Sequence, residues 1–368
     1  ALRAADGALV WKFRAAPQET YLQAFGTLQS LWPVHGSLLV MGDTVYCVAG
    51  RSMFLDGGLR MLRLDAATGR VISEKTMDNT IPGTGENLHN LVAGKRIAVT
   101  LPDILSSDGE RIYMRSLQMT PEFERINIEP FWTADQEGEG AHLFSGTGFL
   151  DDQWWHRSYW MYGRAPGNGA SIYYAPGKIV PAGRILSFDD ENVYGFGRQW
   201  RYFRWSTAYE YRLFSTRKTP KAVKPGKTSA EDEVVENKGS HVNFGYAPYK
   251  TPELKIVCNW EETDVPLLGR AMVVAGDSIL VAGPPDILDE EQAAETFGTE
   301  GTDQRLEAQL EAWEGARGGM LMAFSRNDGA RRSKVELDSS PVFDGMAAAD
   351  GRLFLAMEDG TMVCYGPQ

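Results

Sequence analysis

Residues able to do chemistry gather in three stretches of this 368-residue chain. The densest is Asp151–Trp160, DDQWWHRSYW. On a strand, alternate residues share a face, so Trp154, His156, Ser158 and Trp160 point one way and Trp155, Arg157 and Tyr159 the other. Such a face is a platform for a sugar or another ring, with His156 or Asp152 beside it as acid or base. The same residues also make a structural aromatic cluster, with Arg157 stacked and Asp151 and Asp152 capping a turn. The second stretch is Arg51–Gly58, RSMFLDGG. It is either a loop that takes an anion or a metal, or a loop pinned by its own Arg51–Asp56 pair. The third is Arg198, which follows YGFG and poses the same alternatives. The candidate ligand-binding set is therefore Arg51, Asp56, Asp152, Trp154, His156, Arg157 and Arg198, with no catalytic residue assigned.

Other residue types argue against specific chemistries. His35, His89, His142 and His241 show no HxH or HExxH spacing, so no metal site is expected. No GxSxG elbow anchors a nucleophilic triad. Asp189-Asp190 sit in a hairpin turn, where paired carboxylates are solvated turn formers. Cys47, Cys258 and Cys364 are far apart and odd in number, which suits neither a disulfide framework nor a tetrahedral metal. Cys47 and Cys364 lie in strand-like runs and are expected to be buried as small hydrophobes.

These residues must be positioned by strands. Val34–Arg70 reads as consecutive strands at Ser37–Val40, Thr44–Ala49 and Leu59–Leu64. Gly42-Asp43 and Asp65–Gly69 are the turns, and a fourth strand is expected near Val71–Lys75. Four antiparallel strands with this punctuation make one blade of a β-propeller. Worn copies recur at His89–Trp132, around Gly148–Gly163, at Arg184–Trp260, at Arg270–Leu337 and at Val342–Tyr365. The spacing predicts an all-β propeller of four-stranded antiparallel blades, six to eight in number, forming a single domain over 1–368. Asn327-Asp328-Gly329 takes the place of Ala67-Thr68-Gly69. Residues 1–16 end a blade that has no opening strands, so Ala8–Phe13 is expected to complete the last blade, unless an upstream segment or a second chain completes the ring. The copy at Arg270–Leu337 is interrupted. Leu306, Leu310 and Trp313 recur between charges at helical spacing, which predicts a short helical insertion near 288–317. Any two blades of such a ring face one axis, so Arg51, Asp56, Asp152, His156, Arg157 and Arg198 are expected to meet at one mouth of its central channel.

Composition bounds the partners. The net charge is −12, against a nucleic-acid surface that must neutralise phosphates. Acidic charge with aromatic-rich loops points to a protein or a neutral saccharide. No apolar run approaches the roughly 20 residues of a membrane span.

Ala4-Ala5-Asp6-Gly7-Ala8-Leu9-Val10-Trp11, of the form A-x-D-G-x-x-x-W, resembles the repeat of the pyrroloquinoline-quinone-like (PQQ-like, BamB-like) β-propellers. LRLDAATGRVISEK is similar, without the Trp. LWPVHGSLLVMGDTVYCVAGRSMFLDGG, HLFSGTGFLDDQWWHRSYWMYG and GRILSFDDENVYGFGR resemble a bacterial subgroup of these repeat proteins. The resemblance implies a fold and an extracytoplasmic, periplasmic or secreted, place, and leaves the activity open. The chain departs from the quinoprotein alcohol dehydrogenases, which hold their cofactor against adjacent cysteines. It has no such pair, no CxxCH haem site, and no recognisable calcium-binding Glu/Asn/Asp set. No cofactor is expected, PQQ with calcium being the alternative. The expected function is a non-catalytic ligand- or protein-binding scaffold. The alternative is an enzyme with a face pocket, either a saccharide hydrolase or lyase or a PQQ-dependent dehydrogenase.

Overall fold

The structure, a computed structural model, describes residues 1–24, 26–35, 38–87, 104–114, 117–126, 142–145, 160–163, 181–198, 211–218, 222–223 and 255–366. Four of its sheets have four antiparallel strands in sequential order. Blade 1 is Leu39–Met41, Thr44–Ala49, Leu59–Asp65 and Val71–Met77. Blade 2 is Leu105–Ser107, Ile112–Met114, Leu117–Met119 and Arg125–Ile126. Blade 3 is Ile185–Phe188, Asn192–Arg198, Tyr211–Arg217 and Cys258–Glu262. Blade 4 is Ala271–Ala275, Ser278–Gly283, Gly319–Ser325 and Arg331–Leu337. Blade 5, Pro341–Ala349, Arg352–Met357 and Met362–Tyr365, is the same meander with three described strands.

The chain is thus all-β and of the β-propeller type, with five blades among the described residues. The expected six to eight are not matched. The surplus lies around Gly148–Gly163, where His142–Ser145, Trp160–Gly163 and Ala182–Gly183 form a three-stranded sheet. Its described strands are only four, four and two residues long, shorter than the second and third strands of blades 1, 3 and 4.

By its contacts the chain divides into two compact units, 1–152 with 167–169, and 153–166 with 170–368. In the first, strand alternation in blade 1 supplies two cores. Tyr46, Val48, Leu59 and Met61 face blade 2, meeting Leu105, Ile112, Met114 and Phe123. Val45, Cys47, Leu62 and Leu64 face the other way, against Trp11, Phe13, Ala15 and Trp32. Burial there pushes the Cys47 thiol up to about 11. In the second unit Phe196 and Leu213 of blade 3 pack on Ile279, Met322 and Phe324 of blade 4. The opposite face of blade 4 packs on Leu353, Leu355 and Met357 of blade 5. Cys364, expected to be buried, is exposed, because its strand turns Val363 and Tyr365 inward and Met362 and Cys364 outward.

Two local devices recur. The first is a Trp docked on a glycine turn. In blade 1, Gly69 has φ +71°, the Trp11 ring lies so close that a Cβ on Gly69 would stand 2.6 Å from it, and Trp11 Nε1 donates to the Ala66 carbonyl at 2.9 Å. In blade 4, Gly329 has φ +74°, a Cβ would stand 2.5 Å from the Trp260 ring, and Trp260 Nε1 donates to the Arg326 carbonyl at 3.0 Å. Only glycine gives both the left-handed turn and the room for the indole. Trp260 lies on the last strand of blade 3, and Trp11, in residues 8–13, docks on blade 1 in the same way.

The second device is an Asp–Tyr brace across the first hairpin. Asp108 accepts from the Glu110 and Arg111 amides and from the Tyr113 hydroxyl. Asp189 does the same with Glu191, Asn192 and Tyr194. The sequences DGERIY and DDENVY carry the spacing that permits it.

Candidate functional site

Two of the stretches singled out in the sequence, Arg51–Gly58 and Arg198, lie at the end of a blade's second strand. In blade 1 this is the connection from Ala49 to Leu59. Arg51 donates from Nε and Nη2 to Asp56 Oδ2 at 3.0 and 2.6 Å, so the two are paired within the loop. The Phe54 amide donates to Ser52 Oγ at 3.1 Å, and Met53 enters the core between blades 1 and 2. His35 Nε2 donates to the Gly50 carbonyl at 2.8 Å. Asp56 and Gly57 are both left-handed, at φ +57° and +86°. Gly58 follows at φ +104°, with the Met77 carbonyl oxygen only 2.5 Å from where its Cβ would be.

Arg198 is the last residue of the second strand of blade 3, opposite Tyr211. Asp152, Trp154, His156 and Arg157 lie outside the described residues, and with them the expected meeting of the set at one channel mouth.

A larger constellation occupies the same end of blades 3, 4 and 5, within the second unit. Its anchor positions share one offset from the first hairpin of each blade. The innermost pairs of the three first hairpins are Asp189 with Asn192, Ala275 with Ser278, and Ala349 with Arg352. Five residues before each comes Arg184, Arg270 and Asp344 in turn. Between the second and third strands of blade 4 the chain forms two helices, α1 (Glu290–Glu295) and α2 (Glu300–Trp313), as expected for 288–317. Asp289 caps α1 by accepting from the Gln292 amide at 2.7 Å.

The insertion is knit by Gln309. Its Oε1 accepts from the Ile287 and Leu288 amides at 2.7 and 3.0 Å, and its Nε2 donates to the Pro285 carbonyl at 3.1 Å. Thr302 and Ala312 are buried and Gln309 half-buried, whereas Leu310, expected on the apolar face, is exposed. Small and polar residues form the inner face here because what they meet is backbone of the connection, not a sheet.

At the end of α2 two cations lie over the Trp313 ring. The Arg184 guanidinium carbon is 4.8 Å from the ring centroid and that of Arg270 is 4.7 Å. Arg270, almost fully buried, also donates to the Trp313 carbonyl and to Glu358 Oε1. Glu358 stands in the connection between the second and third strands of blade 5. Arg184 reaches the Phe343 ring of blade 5 as well, at 5.5 Å, and the Asp344 amide donates to the Arg270 carbonyl at 2.8 Å. Cation–π contacts gain strength as the cation is desolvated, and the Trp313 carbonyl belongs to a helix C-terminus that favours a positive charge. The result is a clasp: side chains from three successive blades hold one helix end.

Sequence reading missed this clasp. GRILSF and GRAMVV are visible copies of one another. Their shared Arg gains its meaning only from Trp313, which lies on an element foreign to the repeat.

No family model matches the chain, and no curated protein matches it. Solved structures do. BamB from Moraxella catarrhalis is similar over 90% of this chain and 69% of its own, at 9% identity and a TM-score of 0.35. Kluyveromyces lactis Hsv2, with its complete loop 6CD, is similar over 92% of this chain and 63% of its own, at 11% identity and a TM-score of 0.26. The chain therefore spans about two thirds of the length of these structures. Among the described residues no helix is long and apolar enough to cross a membrane.

Proposed function

We propose that the chain is a non-catalytic, protein-binding β-propeller and that the helical insertion of blade 4 is its recognition element. One observation carries this reading. Blades 3, 4 and 5 fix the end of α2 through Arg184, Arg270 and Glu358, while the insertion leaves Phe297 78% and Leu310 55% exposed. A rigid element that offers large apolar side chains to solvent supplies contact area with little ordering entropy left to lose. Binding energy at protein interfaces concentrates in such anchors.

The test is site-specific crosslinking in the source cells. A photoreactive phenylalanine analogue at 297 should capture a defined protein, and the same analogue at position 10 or 71 should not. Trp313→Ala, which frees the end of α2, should reduce that capture. Equal crosslinking at all three positions, or none at 297, would overturn the reading. An extracytoplasmic place, which the repeat resemblance implies, goes with it and is checked by cell fractionation.

A further inference from the structure

The outward side of α2 suits the helix's own electrostatics at its start, where Glu300 and Asp303 meet the positive end of the dipole, and opposes them from there on. Of its exposed positions, 300, 303, 304, 307, 310 and 311 recur at helical spacing and form one stripe, with Gly301 and Arg305 exposed beside it. That stripe carries Glu300, Asp303, Glu307 and Glu311, with Leu310 among them. Asp303, Glu307 and Glu311 follow one another at i, i+4, where like charges destabilise a helix. The last turn has no basic residue, and Glu311 and Glu314 sit at the end where the helix dipole disfavours a negative charge. Arg317 reaches back to Glu311 at 2.8 Å, and Arg305 is turned to Gln292 Oε1 at 2.6 Å. Across 286–317 there are ten carboxylates and two arginines, a net −8 within a chain of −12.

Local rules broken on one exposed stripe, on an element held in place by other blades, mark a surface kept for something other than folding. The apolar side chains on it specify more than a cation would need. Leu310 lies inside the acidic stripe, and Phe297 projects from the turn that leads into α2.

We propose that this face docks a cationic amphipathic segment of a partner protein. Its Lys or Arg side chains meet Glu300, Asp303, Glu307 and Glu311, and its apolar side chains cover Leu310 and Phe297. The proposal rests on the insertion being the recognition element and adds the chemistry of what it recognises. Charge complementarity selects the occupant, because an acidic or neutral helix would leave the carboxylate stripe unanswered.

The experiment uses the full chain and two synthetic amphipathic peptides, one of Leu and Lys and one of Leu and Glu, followed by fluorescence anisotropy. The Leu/Lys peptide should bind and the Leu/Glu peptide should not. Neutralising the stripe with Glu300→Gln, Asp303→Asn, Glu307→Gln and Glu311→Gln should weaken binding tenfold or more. Phe297→Ser with Leu310→Ser should weaken it severalfold at unchanged salt dependence. A control that neutralises Glu19, Asp190, Glu191 and Asp350 removes as much charge elsewhere and should lose less than twofold. Circular dichroism checks that each variant keeps its sheet and helix.

Equal losses from the control and the stripe would overturn the proposal, since overall charge would then suffice. Binding that depends on Phe297 and Leu310 but not on the carboxylates would overturn the cationic partner and leave the recognition element standing. Self-association lost on Phe297→Ser would make the occupant a second copy of this chain and overturn it too. Peptide binding indifferent to both sets would count against the recognition element as well.

Discussion

The connections between second and third strands in blades 1 and 4 occupy the same place in the repeat and solve different problems. In blade 1 the loop is short and settles its charges internally, Arg51 on Asp56. Its shape is set by backbone that only Gly50, Gly57 and Gly58 accept comfortably. In blade 4 the connection is long enough to fold into α1 and α2, and the end of α2 is held from outside by Arg184, Arg270 and Glu358. A short connection is fixed by the conformation of its own chain. A long one needs partners from other blades, and those partners leave its outer surface free to carry residues that folding alone would not select.

The largest effect should come from the backbone of the short loop. In Gly58→Ala the new Cβ would meet the Met77 carbonyl at 2.5 Å, and backbone cannot swing away as a side chain can. With φ at +104° the strain adds to the clash. The loss should be about 3 kcal/mol or more, measured by urea unfolding of blade 1. Gly57→Ala is the contrast. It is left-handed too, but its Cβ would meet nothing within 4 Å, so about 1 kcal/mol is expected. Similar losses at the two positions would show that the loop yields, and the comparison with blade 4 would weaken.

The clasp comes next. Arg270→Met leaves the Trp313 carbonyl without its donor and Glu358 without its cation. Glu358 is 38% exposed and recovers part of its hydration, so the loss should be about 2–3 kcal/mol rather than the full value for a buried pair. It should be local: amide exchange should speed across 300–313 and hardly change in blade 1. Uniform acceleration across blades 3 to 5 would mean that Arg270 supports the blades themselves and not the helix.

The blades and the site differ in how much of them can be read from sequence. Thr44–Ala49 and Leu59–Leu64 were legible because apolar alternation and Gly turns are local properties, and the strands fall there within a residue. The equivalence of Gly69 and Gly329 was legible from turn chemistry alone. Helicity of 288–317 was legible, but its buried side was not. Leu310 looks like core by spacing, yet the inner face is Thr302, Gln309 and Ala312, because it meets connection backbone that needs hydrogen bonds. The number of blades failed for a similar reason. FLDDQWWHRSYWMYG has the composition of blade strands, but composition does not fix how strands are grouped into sheets, and Trp160–Gly163 pairs in a sheet of short strands instead. The clasp was out of reach, since Arg270 and Trp313 are 43 residues apart and belong to elements with no shared period.

A smaller effect separates the blades' braces from both connections. Burial pulls the Asp189 carboxyl up, but the Asn192 amide, the Tyr194 hydroxyl and the Glu191 amide together hold it below its ordinary value. Burial and the bond to Asp189 push Tyr194 up to about 12. A lowered Asp189 contributes stability that is present above its unfolded value of about 3.9 and is lost as pH falls through the folded one. A raised Tyr194 contributes stability that is full below its unfolded value near 10 and is lost as pH rises toward about 12. Tyr194→Phe should therefore cost about 1.5 kcal/mol at neutral pH and remove one late-titrating tyrosine from a 295 nm titration, leaving Tyr113, which burial and its own brace also push up. If blade 3 in the variant unfolds at the same alkaline pH as in the parent, the brace is not what links stability to pH.

The smallest effect tests whether the blade 1 loop does anything beyond holding its own shape. Arg51 and Asp56 are 31% and 19% exposed, and both bonds go to one oxygen, so the pair lacks the two-pronged geometry that makes such bridges strong. Arg51→Ala should cost about 0.5–1 kcal/mol, with a coupling to Asp56 of the same size in a double-mutant cycle. Asp56 adds a twist, because it holds φ +57°. Asp56→Gly loses the ion pair but gains a residue at ease in that conformation, so its net effect should be near zero, whereas Asp56→Ala keeps the strain and loses the pair. That ordering, Gly above Ala at 56, is what a self-contained loop predicts. If Arg51→Ala instead abolishes binding of a partner while moving stability by less than about 1 kcal/mol, the cation is not spent within the loop. Blade 1 would then present a binding element of its own, and the contrast with blade 4 would be one of size alone.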